Sequence, residues 1–377
     1  MSLRILIIPD KFKGTLSADD AAQAIARGWK NVHQHDTLEL LPLSDGGDGF
    51  GEILSKLIGA KPRKIKTVDA AHQPIETTWW WNAKTKTAVI ESANIIGLAM
   101  LPPKKFHPFK LDTFGLGKVL LAAQKLGCRK CMVGIGGSAT NDGGFGMARA
   151  LGWKFLKSDG TEIESWIELN AFARIKNPKS ARMEITVAVD VQNPLLGSRG
   201  ATRVYGPQKG LREKDFVIAE SALGKLAQVF QSERGHPVRS DRMSALLDIA
   251  KIPGAGAAGG LGFGLMAFAN AKPESGFEIF SYAANLEKRL GKTDLVLTGE
   301  GAIDRQTLMG KGVGQVALLC KKLKIPCIGI AGVVLEKEKA EKLFAQTRGL
   351  TEITSLKKAK NSPAQFLEKL AEEIARS

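Results

Sequence analysis

The chain has 377 residues, 44% hydrophobic and 24% charged, the balance of a globular protein with room for two cored domains. No apolar run approaches the roughly 18 residues that span a bilayer, and the first apolar segment is too short for a signal peptide, so no membrane partner and a cytoplasmic location are expected. The formal net charge of +16 favours anionic ligands, but the basic residues are dispersed without aromatic interleaving, so no nucleic-acid partner is expected.

Arg4–Pro9 reads as a short buried strand. Ser17 followed by Asp20 is a capping pattern, opening a helix whose apolar stripe is Ala21, Ala22, Ile25, Ala26 and Trp29. Ile75–Trp81 and Lys86–Glu91 flank Asn82-Ala83-Lys84-Thr85 as a strand, turn and strand. Adjacent strand residues face opposite sides, so the three tryptophans at 79–81 are read as packing between layers rather than as a ligand platform. Thr113–Leu126 reads as a helix, Lys130–Ile135 and Glu184–Val189 as strands, and Phe216–Phe230 and Tyr282–Leu290 as helices. Strands Asp294–Thr298 and Ile325–Ile330 alternate with helices Val313–Leu323 and Pro363–Ile374. The strand runs are continuously apolar, as when helices cover both faces of a sheet. The fold class is therefore α/β with a predominantly parallel sheet in at least one domain. The mixed segment near residue 74 begins a second domain, expected over residues 71–289. Residues 1–70 and 290–377 are expected to form one discontinuous domain. Cys128 and Cys131 have CxxC spacing, but Cys320 and Cys327 supply no second knuckle, so all four are read as free thiols rather than a zinc or redox site.

Ligands of open α/β sheets bind beyond the C-terminal ends of strands. Three polar segments occupy such places: Asp10-Lys-Phe-Lys-Gly14, Asp190-Val-Gln-Asn193 and Gly299-Glu-Gly-Ala-Ile-Asp-Arg-Gln-Thr307. They hold the ingredients of phosphoryl transfer: a hydroxyl-orienting base, oxygen ligands for a divalent metal, and cations for phosphate oxygens. Asp190 is the preferred base, with a loop cap or indirect metal contact as its alternative. Asp10 and Asp304 are candidate magnesium or metal-water ligands, with turn or helix-cap roles as alternatives. Lys11 and Lys13 straddle Phe12 and are candidate phosphate contacts. Arg305 offers a fork of donors, and Lys209 a point charge. Glu300, Gln306 and Thr307 of the same segment are candidate substrate or phosphate contacts.

Two glycine-rich segments extend the site. Asp45-Gly-Gly-Asp-Gly49 is expected to expose backbone donors beside carboxylates. Gly254–Gly264, with Gly259 and Gly260 at its centre, is expected to be a flexible approach offering an anion nest, with close helix packing as the alternative. No GxxxxGK[ST] is present, which excludes a P-loop reading. In Val133–Gly146, Ser138, Thr140 and Asn141 are read as groups that bind and position substrate or phosphate rather than as nucleophiles. No Gly-x-Ser-x-Gly elbow exists, and His33, His35, His72, His107 and His236 form no recognisable triad, so a serine hydrolase is not supported.

Over nearly its whole length the chain resembles the bacterial type I glycerate kinase family. The resemblance rests on an ordered set of motifs: Ile8-Pro-Asp-Lys-Phe-Lys-Gly-Thr-Leu-Ser-Ala18, Ser44-Asp-Gly-Gly-Asp-Gly49, Gly134-Ile-Gly-Gly-Ser-Ala-Thr-Asn-Asp-Gly-Gly144, Asp190-Val-Gln-Asn-Pro-Leu-Leu-Gly197, Gly206-Pro-Gln-Lys-Gly210, Pro253–Gly264 and Thr298–Thr307. It implies ATP-dependent phosphorylation of D-glycerate with Mg²⁺, most often to 2-phosphoglycerate. The implied architecture is a flavodoxin-like or Rossmann-like parallel-sheet domain plus a second mixed α/β domain, with reaction in their cleft. It makes the Asp10–Lys13 loop, Asp190, Lys209 and Glu300–Thr307 the leading site segments. Two departures are mild: Val313 stands where a proline is often nearby, and Leu116 where a small hydroxyl residue is common. The alternatives are formation of 3-phosphoglycerate, a kinase of a related hydroxy acid, or a nonenzymatic anion- or nucleotide-binding regulator. A monomer or homodimer is expected.

Overall fold

The computed structural model describes residues 2–12, 14–47, 49–178, 183–234 and 248–377. Its strands in chain order are β1 (Arg4–Ile7), β2 (Thr37–Leu40), β3 (Lys61–Val68), β4 (Pro74–Asn82), β5 (Thr87–Glu91), β6 (Lys130–Gly134), β7 (Lys154–Leu156), β8 (Arg174–Lys176), β9 (Glu184–Ala188), β10 (Lys272–Glu274), β11 (Leu295–Ile303), β12 (Cys327–Val334) and β13 (Gln346–Gly349). Two compact units result: Met1–Asp45 with Phe277–Ser377, and Gly46–Gly276.

The first unit holds a five-stranded sheet in the order β13-β12-β11-β1-β2. Every neighbouring pair is parallel, so each connection must cross over, and helices supply the crossovers. Helix Ala18–Lys30 follows β1, and the Ser17 hydroxyl caps it by accepting the Asp20 N–H. Its apolar face, with Ala21, Ala22, Ile25 and Trp29, packs with Leu367, Leu370 and Ile374 of helix Pro363–Ala375 and with Ile5 and Ile7 of β1. Counted within the unit, the strand order is 2-1-3-4-5. The direction of winding reverses between β1 and β11, and such a reversal leaves a crevice at the C-terminal strand ends.

The second unit is built on a six-stranded sheet, β10-β9-β6-β5-β4-β3. The β3-β4-β5 side is antiparallel, and β5, β6, β9 and β10 run parallel. Trp79 and Trp81 share the main core, whereas the Trp80 ring lies against Gly51 of helix Phe50–Ile58. The tryptophan run therefore packs two layers, as the strand period requires. The short β7-β8 pair is antiparallel. Leu116, in helix Phe114–Lys125, is fully buried in the same core.

Several expectations are corrected. The first boundary falls after Asp45 rather than residue 70 because β3 pairs with β4 along its whole length. The second falls after Gly276 rather than residue 289. The expected helix Tyr282–Leu290 is split into Gly276–Ala284 and Leu286–Leu290 by Asn285, which sits in the left-handed region at φ 48. The Gly254–Gly264 segment is not an open approach: Ala257–Ala269 forms a helix, entered through Ala258, Gly259 and Gly260 at φ 55, 74 and 84. All four cysteines are buried free thiols, and burial pushes Cys128 up to about 11. Among the described residues, no helix is long and apolar enough to cross a membrane.

Candidate functional site

The chain reversal in the first unit carries a concentration of carboxylates. Asp10 follows β1, and its backbone N–H donates to the Gly299 carbonyl at 2.8 Å, tying the turn to β11. β11 does not stop at Thr298 as expected. Its ladder with β12 runs on to Ile303 opposite Val334, which places Glu300 inside the strand, opposite Ala331. Helix Val313–Leu323 starts beside this pair. A Cβ on Gly312, at φ 53, would stand 3.7 Å from Asp10 Oδ2 and 3.9 Å from Glu300 Oε2, so the two oxygens face one small space.

Electrostatics make that space short of positive charge. Burial, reinforced by the Asp45 carboxylate, pushes Asp10 up to about 7, although the Lys11 N–H donates to its Oδ1 at 2.7 Å. Burial also pushes Glu300 up to about 7, opposed by the Thr307 hydroxyl, which donates to Oε1 at 2.6 Å, and reinforced by Asp10, Asp304 and Asp45. Carboxylates raised in this way favour a cation at their free oxygens. Among the described residues, no three His, Cys, Asp or Glu side chains form a ready-made metal cage. Magnesium commonly takes only one or two carboxylates and completes its shell with water and substrate phosphates. The Asp10–Glu300 pair fits that hard-oxygen requirement.

Asp304 takes the helix-cap place that stood as the alternative to metal binding. Its Oδ1 accepts the Gln306 and Thr307 N–H groups at 2.7 and 3.3 Å, capping the short helix Arg305–Leu308. The cap presents Thr307 to Glu300 and leaves Arg305 and Gln306 exposed. Lys11 is half-buried beside Asp10. Lys13 lies outside the described residues.

The second unit assembles a different chemistry. Lys209 closes helix Ala201–Lys209, is only 6% exposed, and donates its ammonium to the Thr140 carbonyl at 2.6 Å. Burial pulls it down to about 7, with the Asp142 carboxylate opposing. Gly259, at φ 74, is what permits this approach: a Cβ there would stand 2.0 Å from the Thr140 oxygen and 2.8 Å from Lys209 Nζ. Gly260 packs against Gly143, so close packing is realised at both glycines. The Ser138 and Thr140 hydroxyls lie 2.9 Å apart. The Asn141 amide donates to Thr202 Oγ1 at 3.0 Å, and its buried Oδ1 has no hydrogen-bond partner. Thr140 and Asn141 are fully buried, so they shape the lysine's surroundings from within. Asp190 stands just beyond β9, half-buried, and its Oδ1 accepts the Gly276 N–H at 3.0 Å.

The sequence marks Asp45 and Asp142 only as carboxylates among glycines, and Glu91 only as the end of a strand. Asp142 is the hub of the Val133–Gly146 stretch: its carboxylate accepts the Thr113 N–H and hydroxyl and the Gly144 and Gly146 N–H groups. Burial pushes it up to about 6, with the neighbouring Asp112 adding to the rise. Glu91 accepts the Gly49 and Gly51 N–H groups, each at 2.9 Å, so these backbone donors are not left open to a ligand. The available signal for all three was an acid set among glycines or at the end of an apolar strand run.

A model of the glycerate kinase family matches residues 5–377. The chain is 36% identical over 379 residues to a glycerate kinase of Halalkalibacterium halodurans, covering 98% of this chain and 97% of that protein. It is 38% identical over 335 residues to the glycerate 2-kinase of Escherichia coli K12, covering 88% and 85%. A crystal structure assigned as a glycerate kinase 2 from Salmonella typhimurium LT2 matches with a TM-score of 0.81 at 31% identity, covering 100% of this chain and 98% of that one.

Proposed function

Because the chain belongs to the glycerate kinase family, we propose that it transfers the γ-phosphoryl group of ATP to D-glycerate, forming 2-phosphoglycerate. The observation that carries the reading is the Asp10–Glu300 pair, whose free oxygens share one space and whose raised pKa values call for a cation. When bound there, Mg²⁺ supplies charge neutralisation for the triphosphate. The Thr307 hydroxyl orients Glu300, and Asp304 fixes Thr307 through its cap. Arg305, Lys11 and Lys13 supply cations for phosphate oxygens, with Gln306 as a neutral donor.

Acceptor chemistry falls to the second unit's residues. Asp190, steadied by the Gly276 N–H, orients the glycerate hydroxyl and takes its proton as the new P–O bond forms. Lys209, pre-positioned by the Thr140 carbonyl, donates to oxygens that gain charge. Ser138, Thr140 and Asn141, with the backbone at Gly259 and Gly260, hold that lysine in place. Support for the 2-position comes from the type I motif pattern and from the likeness to a glycerate 2-kinase. Four buried free thiols fit a reducing cytoplasm, which also supplies ATP. A coupled assay for ADP tests the reading: release requires glycerate and Mg²⁺ together. A folded protein that releases none with both present would sink it.

A further inference from the structure

Within the first unit, a groove of about 890 Å³ runs between the helix pair Gly276–Ala284 and Leu286–Leu290 on one side and helix Val313–Leu323 on the other. Three large apolar side chains stand open along it: Tyr282 is 88% exposed, Met309 74% and Leu318 49%. Such a set in one concavity marks a binding surface more often than a packing accident. The acidic and basic side chains in its lining balance, two of each. A flat, neutral ring system therefore suits it better than an anion or a charged peptide. Asn285 and Gln315 each add an amide that both donates and accepts, the pairing needed to read the edge of a heterocyclic base.

The groove also lies close to the carboxylate pair. Gly310 lines the groove, and Gly312, two residues on, faces the Asp10 and Glu300 oxygens. Two residues span at most about 7 Å. The groove is thus within reach of the other end of a ligand whose polyphosphate sits at the carboxylate pair.

We propose that this groove binds the purine nucleoside of Mg–ATP, with the Tyr282 ring stacked on the base and Asn285 and Gln315 at its edge. The assignment rests on the ATP-dependent reading above and adds where the nucleoside sits. Calorimetric titration of the full-length protein with Mg–ATP and with Mg–tripolyphosphate tests it, alongside Tyr282→Ala and Tyr282→Phe. Tyr282→Ala weakens Mg–ATP about tenfold, in line with the loss of one base–aromatic stack. Tyr282→Phe keeps the affinity, and tripolyphosphate binding is unchanged in both variants. Equal Mg–ATP affinity in wild type and Tyr282→Ala overturns the proposal. So does a Tyr282→Ala protein of lower mass by light scattering with unchanged ATP affinity, which makes the groove a self-association face. A wild type that binds no Mg–ATP overturns both the groove and the ATP reading. Tyr282-dependent binding without turnover of glycerate overturns the substrate and leaves the groove standing.

Discussion

Replacing Asp10 with asparagine isolates the electrostatic cost of the carboxylate pair. The native carboxyl keeps its proton up to about pH 7, whereas the unfolded one releases it near the ordinary value of 3.8. Between those values the native state binds more protons than the unfolded state, so this group's contribution to stability falls as pH rises and is fully lost above 7. Each pH unit of the window is worth about 1.4 kcal/mol. From pH 5 to pH 8 the wild type therefore loses up to about 3 kcal/mol through Asp10, and sharing of the shift with Glu300 brings the expectation to about 2 kcal/mol. The asparagine titrates in neither state and retains a carbonyl for the Lys11 N–H. Urea unfolding in EDTA, followed by far-UV circular dichroism, compares the two proteins at both pH values. The advantage of Asp10→Asn over wild type grows by about 2 kcal/mol from pH 5 to pH 8. An advantage that is the same at both values refutes the claim that this carboxylate is held against its own charge.

Gly259→Ala places a Cβ 2.0 Å from the Thr140 oxygen at φ 74, and thermal unfolding should show a loss of about 2–4 kcal/mol. Lys209→Met leaves the Thr140 carbonyl without its donor, at a cost of about 1–3 kcal/mol, and lowers kcat at least about 100-fold in steady-state assays. A Lys209→Met protein with near-normal kcat removes the lysine from the reaction. Asp190→Asn lowers turnover by about 100-fold or more, and near-normal turnover in the folded variant rejects Asp190 as the base.

Much of the frame was legible because its signals are local. Continuous apolar runs located β1, β6, β9 and β12, and Val313–Leu323 carried its helix outright. β3 escaped because it is an edge strand, Lys-Pro-Arg-Lys-Ile-Lys-Thr-Val, whose exposed basic residues suit an unpaired edge and mask the strand pattern. The break at Asn285 escaped because asparagine is a tolerable helix residue that also accepts the left-handed region.

Site residues divided by the range of their interactions. Asp10, Glu300 and Asp190 stood out as charges at strand ends. That Asp304 caps a helix while Asp10 faces Glu300 is decided by tertiary placement, to which residue type is blind. Burial of Thr140 and Asn141 depends on helix Ala257–Ala269, more than a hundred residues away, whose Gly259 reaches the Thr140 carbonyl. No local pattern around Ser138–Asp142 carries that information.

Two-dimensional ¹H–³¹P NMR of the product formed from D-glycerate and Mg–ATP reads phosphoryl transfer and its position in one spectrum. A new phosphoester coupled to the proton on C2, appearing in step with ADP, is the predicted result. Coupling to the C3 protons contradicts the 2-position, and absence of any new phosphoester contradicts the kinase account itself.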